Sequence, residues 1–363
     1  MVSRSALSRF TLNLAGIDPA KEAEENFFGP IGQDQLALFL LKCPPAGLEE
    51  LDPEDANILF LDELNADLGL DFQLDPELPY AWMVTKQGSK RLQVVLDLSG
   101  SRLVQAHFLG DLKEVNKLAA QLSAGTNLLP TRLGAGLMQH CQDWFEPLSE
   151  VYLHFEQSSK LFHQPQSLKA HFKGPKAPDL LQELLSTQPE LTEITQLSGP
   201  IGGEETSLVS VDCRGQLRSQ GLKLERFLEL AARLSQGLNA RYQTFEEEHL
   251  TGLIEAGDWS SLAGLPLEYS FAHPLDKPQV LVRQLCNLSK PLGFLGHATR
   301  LTTREWRLDL ADPAGGTLSV EVSLNGLRAY PRDRRSLGLV DRLEAFLASQ
   351  ISAGSSFFEP EEP

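Results

Sequence analysis

An α+β fold of tandem units is what the sequence predicts, each unit of roughly β-α-β-β-α order, with antiparallel sheets, joined by helical connectors. Three observations carry this reading. Apolar residues alternate with period two, the mark of half-buried strands, around a glycine turn at three places in the 363 residues. An amphipathic helix follows each of them. The three turn glycines, Gly100, Gly215 and Gly326, stand 115 and 111 positions apart, which is a domain-sized period and points to internal duplication. Hairpins grouped apart from helices fit α+β better than a doubly wound sheet.

The first hairpin begins at Leu92–Gly100 and leads to a helix through Leu112, Leu118 and Leu122. The second begins at Leu208–Gly215, with Leu224, Phe227, Leu228, Ala231 and Leu234 on its helix. The third begins at Leu318–Gly326, with Leu339, Val340, Leu343, Phe346 and Leu347. Upstream of the later two, a strand at Ser167–Phe172 leads to a helix at Leu180–Leu185, and a strand at Leu267–Ala272 to a helix at Val280–Leu288. Phe10–Ala15, leading to a helix over Gln35–Lys42, is the expected degenerate first copy. Between them and the first hairpin, Glu49–Asp55 reads as a polar loop and Ala56–Leu61 as a strand. Gly125 and Gly237 are placed as helix C-caps, each followed by another helical stretch, at 131–145 and 242–256. The domains expected are an acidic N-terminal unit at 1–148, a second unit at 149–262, and a third at 263–363 that ends in a short acidic disordered tail holding Phe357 and Phe358.

With 32 Lys and Arg against 49 Asp and Glu, the net charge is -17, which argues against a nucleic-acid partner. The acidity is concentrated: residues 1–80 hold 16 acids and four bases. Cys43, Cys141, Cys213 and Cys286 are widely spaced and read as buried thiols in a reducing, cytoplasmic setting. The longest apolar run, Leu36–Leu41, is far short of the roughly 20 residues a membrane span needs, so no membrane insertion is expected. Residues 1–10, with Arg4, Arg9 and no acid, have a faint presequence character, but a first strand from Phe10 is the preferred reading.

No coherent catalytic constellation stands out, and the chain reads as non-catalytic, without cofactor or metal. Gly29-Pro30-Ile31-Gly32 recurs as Gly199-Pro200-Ile201-Gly202-Gly203, but Gln33-Asp34 and Glu204-Glu205 follow, and carboxylates repel a phosphate. These are read as tight turns. His154, His163 and His171 are spaced by nine and eight, unlike ordinary metal pairs. Glu246-Glu247-Glu248-His249 lacks a second His at helical spacing and reads as a solvated helix face. Asp62 to Asp71 has the acid density of a calcium loop, but Leu64 and Leu68 stand where oxygen ligands are needed.

Two charged groups remain as candidate partner-binding residues. Asp52, Glu54, Asp55, Asp62 and Glu63 lie in the acidic segment. Arg332, Arg334 and Arg335, with Arg328 nearby, are the one local reversal of sign and are placed on the polar loop between the last strand and the last helix. A protein partner is expected.

One stretch also carries a family resemblance. The alternating Leu92-Gln93-Val94-Val95-Leu96, the turn Gly100, the strand from Leu103, the pair Gly110-Asp111 and the helix exit Leu122–Asn127 resemble the small accessory C-terminal domain of lipoate-protein ligases, over about residues 80–145. The turn glycine sits one position early. What the resemblance implies is an accessory role in a cofactor-attachment system. The family's separate catalytic domain, with its Gly-rich Arg loop and adenylate lysine, is not visible in the sequence. The leading expectation is therefore a scaffold protein built of repeated α+β units.

Overall fold

A computed structural model describes residues 35–43, 51–75, 79–87, 90–109, 112–123, 127–157, 166–187, 192–201, 207–250, 252–256, 259–271, 274–286, 294–311, 316–350 and 353–355. Phe10–Ala15, Glu49-Glu50, Gly29–Gly32, Gly110-Asp111, Gly125, His163, Gly202-Gly203 and the Phe357-Phe358 tail lie outside them. In chain order the elements are β1 (Gln35–Lys42), α1 (Pro53–Leu68), β2 (Gln73–Leu74), β3 (Tyr80–Gln87), β4 (Lys90–Asp97), β5 (Leu103–Leu109), α2 (Leu112–Leu122), β6 (Leu128–Pro130) and α3 (Ala135–Gln142). There follow β7 (Glu150–Gln157), β8 (Gln166–Lys173), α4 (Ala177–Thr187), β9 (Thr192–Gly199), β10 (Leu208–Asp212), β11 (Gln216–Gln220) and α5 (Leu224–His249). The remainder holds β12 (Gly252–Ala256), β13 (Trp259–Ala263), β14 (Leu267–Phe271), α6 (Pro278–Leu285), β15 (Leu295–Arg300), β16 (Trp306–Ala311), β17 (Thr317–Val322), β18 (Gly326–Pro331), α7 (Ser336–Gln350) and β19 (Ala353–Ser355). The fold is α+β with antiparallel sheets. It divides into two compact units, one drawn from 1–131, 143–147 and 198–239, the other from 132–142, 148–197 and 240–363.

In the first unit the strands run β2-β3-β4-β5-β1-β11-β10, with β6 also on β1. All eight residues of β1 are buried. Leu36, Leu38 and Leu40 join Phe60, Leu61 and Leu64 of α1 and Val115, Leu118 and Leu122 of α2 in one core. The other face of the sheet meets residues 224–239 of α5: His107, paired with Ala37, lies edge-on to Phe227, and Gln105, paired with Phe39, donates to Ser235 Oγ at 3.1 Å. Burial pushes the His107 imidazole down to about 4, so it is neutral there at physiological pH. At Phe39 the neighbour of β1 changes from β11 to β6, and the backbone is satisfied by other means. Its N–H donates to Gly215 O at 3.0 Å and its carbonyl accepts from Thr131 Oγ1 at 2.8 Å. Gly215 has φ 69°, and a Cβ there would stand 2.1 Å from Thr131 Oγ1, so only glycine fits.

In the second unit a six-stranded sheet runs β15-β16-β17-β18-β14-β19. Its strands alternate, as in Leu267, Tyr269 and Phe271 of β14, all buried, against exposed Glu268 and Ser270. The buried face packs on α6 and α7. The other face is open and charged. Along one row the register pairs Arg307 with Glu321, Glu321 with Arg328 and Arg328 with Glu268, so the signs alternate across four strands. The second unit also holds the hairpin β12-β13, the strands β7 and β8, and β9 as far as Leu197.

The two units share an order. β1-α1-β2-β3-β4-β5-α2 is matched by β14-α6-β15-β16-β17-β18-α7, and the strands stack as β2-β3-β4-β5-β1 and β15-β16-β17-β18-β14. The three glycines of the sequence period fall in the hairpins β4-β5, β10-β11 and β17-β18. Three residues before each stands a side chain that closes the turn. Asp97 Oδ1 accepts from Ser99 N at 2.9 Å, Asp212 Oδ1 from Arg214 N at 2.6 Å, and Ser323 Oγ from Gly326 N at 3.2 Å.

Several local expectations are corrected. Gln35–Lys42 is a strand, not a helix, because a continuous apolar run also suits a strand buried on both faces. Ala56–Leu61 is helix, not strand: Pro53 opens α1 at its first turn, so Pro53–Asp55 are no loop, and Asn57, Phe60, Leu61 and Leu64 keep helical spacing. Gly237 lies inside α5 rather than at a C-cap. The stripe Leu234, Leu238, Tyr242, Phe245 is buried across it and outweighs the roughly 1 kcal/mol that one helical glycine costs. The helix expected at 242–256 is therefore the end of α5 plus β12, and that at 131–145 is limited to α3. Cys43, Cys141 and Cys213 are buried, but Cys286 is half-buried.

Candidate functional site

The acidic candidates sit on α1, and its fastening explains why they face outward. Lys42 Nζ, at the end of β1, donates to Asn57 Oδ1 at 2.7 Å and lies over the Phe60 ring. Asn65 and Phe72 exchange two hydrogen bonds, of 2.9 and 2.8 Å, and Gly69 ends the helix in the left-handed region with φ 61°. Gln121 Nε2 of α2 donates to Leu68 O at 2.7 Å. With that side fixed, Asp52, Glu54, Asp55, Asp62 and Glu63 are all exposed on the opposite arc. Asp52 is the N-cap residue, yet its carboxylate makes no capping bond, while Glu54 and Asp55 occupy the first turn where the helix dipole favours acids. Glu63 accepts from Asn127 at 3.1 Å. Among the described residues no cation pairs with Asp52, Glu54, Asp55 or Asp62. Within the same arc Ile58 and Leu59 are 41 and 44 % exposed, and Leu51 just before the helix is also exposed.

The basic candidates are placed differently. Arg332, Arg334 and Arg335 occupy the turn between β18 and α7, as the sequence predicts, but the first two point at groups of their own unit. Arg332 donates to Ser319 Oγ at 2.7 Å and lies 3.6 Å from Asp309, and Arg334 donates to Glu246 at 2.7 Å. Arg328 pairs with Glu268 at 2.8 Å. Glu246 and His249 are accordingly not on a solvated face: His249 is buried and its Nδ1–H donates to Leu265 O at 2.8 Å, while Glu247 and Glu248 are exposed. Of the three histidines, His171 stacks on Tyr152 at 4.0 Å and lies 3.4 Å from Glu150. The described residues contain no group of three or more His, Cys, Asp or Glu arranged to hold a metal.

The densest polar cluster was not anticipated. Arg241 of α5 is buried in the second unit, where it donates to Asp341 at 2.7 Å, to Glu344 at 3.1 Å and to the carbonyl of Arg132. Tyr242 donates to Asp341 at 3.1 Å and Tyr269 of β14 to Glu344 at 3.3 Å. Burial opposes the Arg241 charge, but Asp341 and Glu344 together hold it firmly protonated. Burial raises both tyrosines well above their ordinary range, with Asp341 acting further on Tyr242 and Glu344 on Tyr269. The signal was present in the sequence. Asp341 and Glu344 stand on the apolar stripe of α7, beside Val340 and Leu347, where a carboxylate needs a buried partner.

A family profile described as MJECL33-like protein matches residues 66–335, which is more than half of the chain. The chain belongs to the MJECL33-like protein family. The matched region holds the three hairpins β4-β5, β10-β11 and β17-β18, Arg241, Tyr242 and Tyr269, and stops just before α7; it begins near the end of α1, after the acidic candidates. No curated protein matches the sequence. No helix among the described residues is long and apolar enough to cross a membrane.

Proposed function

We propose that this chain is a non-catalytic interaction protein built of duplicated α+β units, and that it docks a protein partner on the outer face of α1. The observation that carries this is the composition of that face. Ile58 and Leu59 are exposed among Asp55, Asp62 and Glu63, so apolar contact and negative charge are offered together on a rigidly held helix. The partner that fits is a protein segment presenting apolar residues flanked by Lys or Arg. Duplication is supported by the shared element order and by the turn-closing Asp97, Asp212 and Ser323. The wide spacing and burial of Cys43, Cys141 and Cys213 support a reducing, cytoplasmic setting.

The test compares partner capture from host lysate by the wild-type chain and by a variant with Asp52→Asn, Glu54→Gln, Asp55→Asn, Asp62→Asn and Glu63→Gln. The variant is expected to keep its circular dichroism and lose a partner whose binding to the wild type weakens with salt. Equal capture by both removes α1 as the docking face. Recovery of a lipoate-protein ligase, unaffected by the variant, would favour the accessory role implied by residues 80–145.

A further inference from the structure

The buried cluster in the second unit sets two carboxylates against one nitrogen of Arg241. Nη2 of Arg241 donates to both Asp341 Oδ1 and Glu344 Oε2, and the three side chains are only 8, 6 and 15 % exposed. Two carboxylates three positions apart on α7 thus compete for one nitrogen at low dielectric, where like charges repel strongly. Glu344 has the weaker hold. Its bonds are 3.1 Å to Arg241 and 3.3 Å to Tyr269, against 2.7 Å to Arg241 and 3.1 Å to Tyr242 for Asp341. The groups that act on it are Arg241 from α5, Tyr269 from β14, Asp341 from α7 itself and Arg132 from the segment before α3, while α7 also packs on β17, β18, β7 and β19. The next acid along α5 that turns inward, Glu246, is already taken by Arg334.

We infer that Glu344 is a proton-operated latch, holding a proton while α7 packs against α5 and β14 and loosening α7 when that proton leaves. With Glu344 neutral, Arg241 and Asp341 form one balanced ion pair, and the Glu344 carboxyl can still share its site with the Tyr269 hydroxyl. With Glu344 ionised, the cluster gains a buried negative charge that Arg241 must divide. The direction of its titration agrees: burial first, and Asp341 in addition, push Glu344 up to about 7, against the opposing pull of Arg241 and Arg132. Because the folded value lies above the unfolded one, the folded state binds the proton more tightly. This contribution to stability is complete below the ordinary glutamate range, near 4.5, and is lost as pH rises through about 7.

The direct test uses the full chain labelled with ¹³C at glutamate carboxyls, with the Glu344 resonance assigned by its absence in Glu344→Gln. A midpoint near 7 is expected. Amide exchange of α7, corrected for the intrinsic effect of pH, is expected to rise by roughly a hundredfold between pH 5 and pH 8 in the wild type, the size such a shift implies, and to lose that dependence in Glu344→Gln. A Glu344 midpoint in the ordinary carboxylate range, or a corrected exchange rate independent of pH in the wild type, overturns the proposal.

Discussion

The sheets around β1 and β14 follow one strand order but treat their second face in opposite ways. In the first unit both faces of β1 are buried, and its polar residues are few and paired, as with Gln35, whose side-chain amide donates to Leu222 O at 3.1 Å. In the second unit β14 alternates, and its outer face carries Glu268 and Ser270 into an open row of alternating charges. The difference teaches where each unit keeps its charge. The first keeps charge out of Gln35–Leu41 at the middle of its sheet and displays a group of acids on α1. The second spreads charge over the open sheet face and buries one cluster beneath the other.

Substitutions can break this contrast, and the largest effect is expected at the buried cluster. Arg241→Met leaves Asp341 and Glu344 buried without their cation and is expected to cost about 3–5 kcal/mol, read as a loss of exchange protection in α7 and β14. Phe39→Ala, on the α5-facing side of β1, is expected to cost a similar ~3–5 kcal/mol, with the loss confined to the first unit. Gly215→Ala forces a Cβ against Thr131 at a positive φ and is expected to destabilise by more than about 1 kcal/mol, lifting protection from β1 and β11. Glu268→Ala, on the open face of β14, removes an exposed pair with Arg328 and is expected to change stability by less than about 1 kcal/mol in urea unfolding. If Glu268→Ala proves as damaging as Phe39→Ala, the open face is not solvent-facing and the contrast fails.

The same contrast explains what was legible in the sequence. Strands with one wet face, such as β14, β17 and β18, announce themselves by alternation, and the three hairpin glycines were placed correctly. β1 has no wet face, so Leu36–Leu41 loses the period-two signal and reads equally as helix. α1 was hidden for a related reason. Ile58 and Leu59 are exposed beside buried Phe60 and Leu61, so four consecutive apolar residues mask the helical spacing. The acids of α1 could be found by counting charge, but their common outward face depends on Lys42, Asn57, Asn65 and Phe72, which meet only in the folded unit. Arg241 escaped because its partners lie 100 and 103 positions away.

The docking role of α1 is the central claim, and one measurement addresses it most directly. A partner captured by the wild-type chain is purified, and its affinity is measured for the wild type and for a variant with Ile58→Ser and Leu59→Ser, at low and high salt. The account predicts that the variant binds at least tenfold more weakly and that wild-type binding declines with salt, with the fold of both chains unchanged. Equal affinity for the two chains, insensitive to salt, would contradict it.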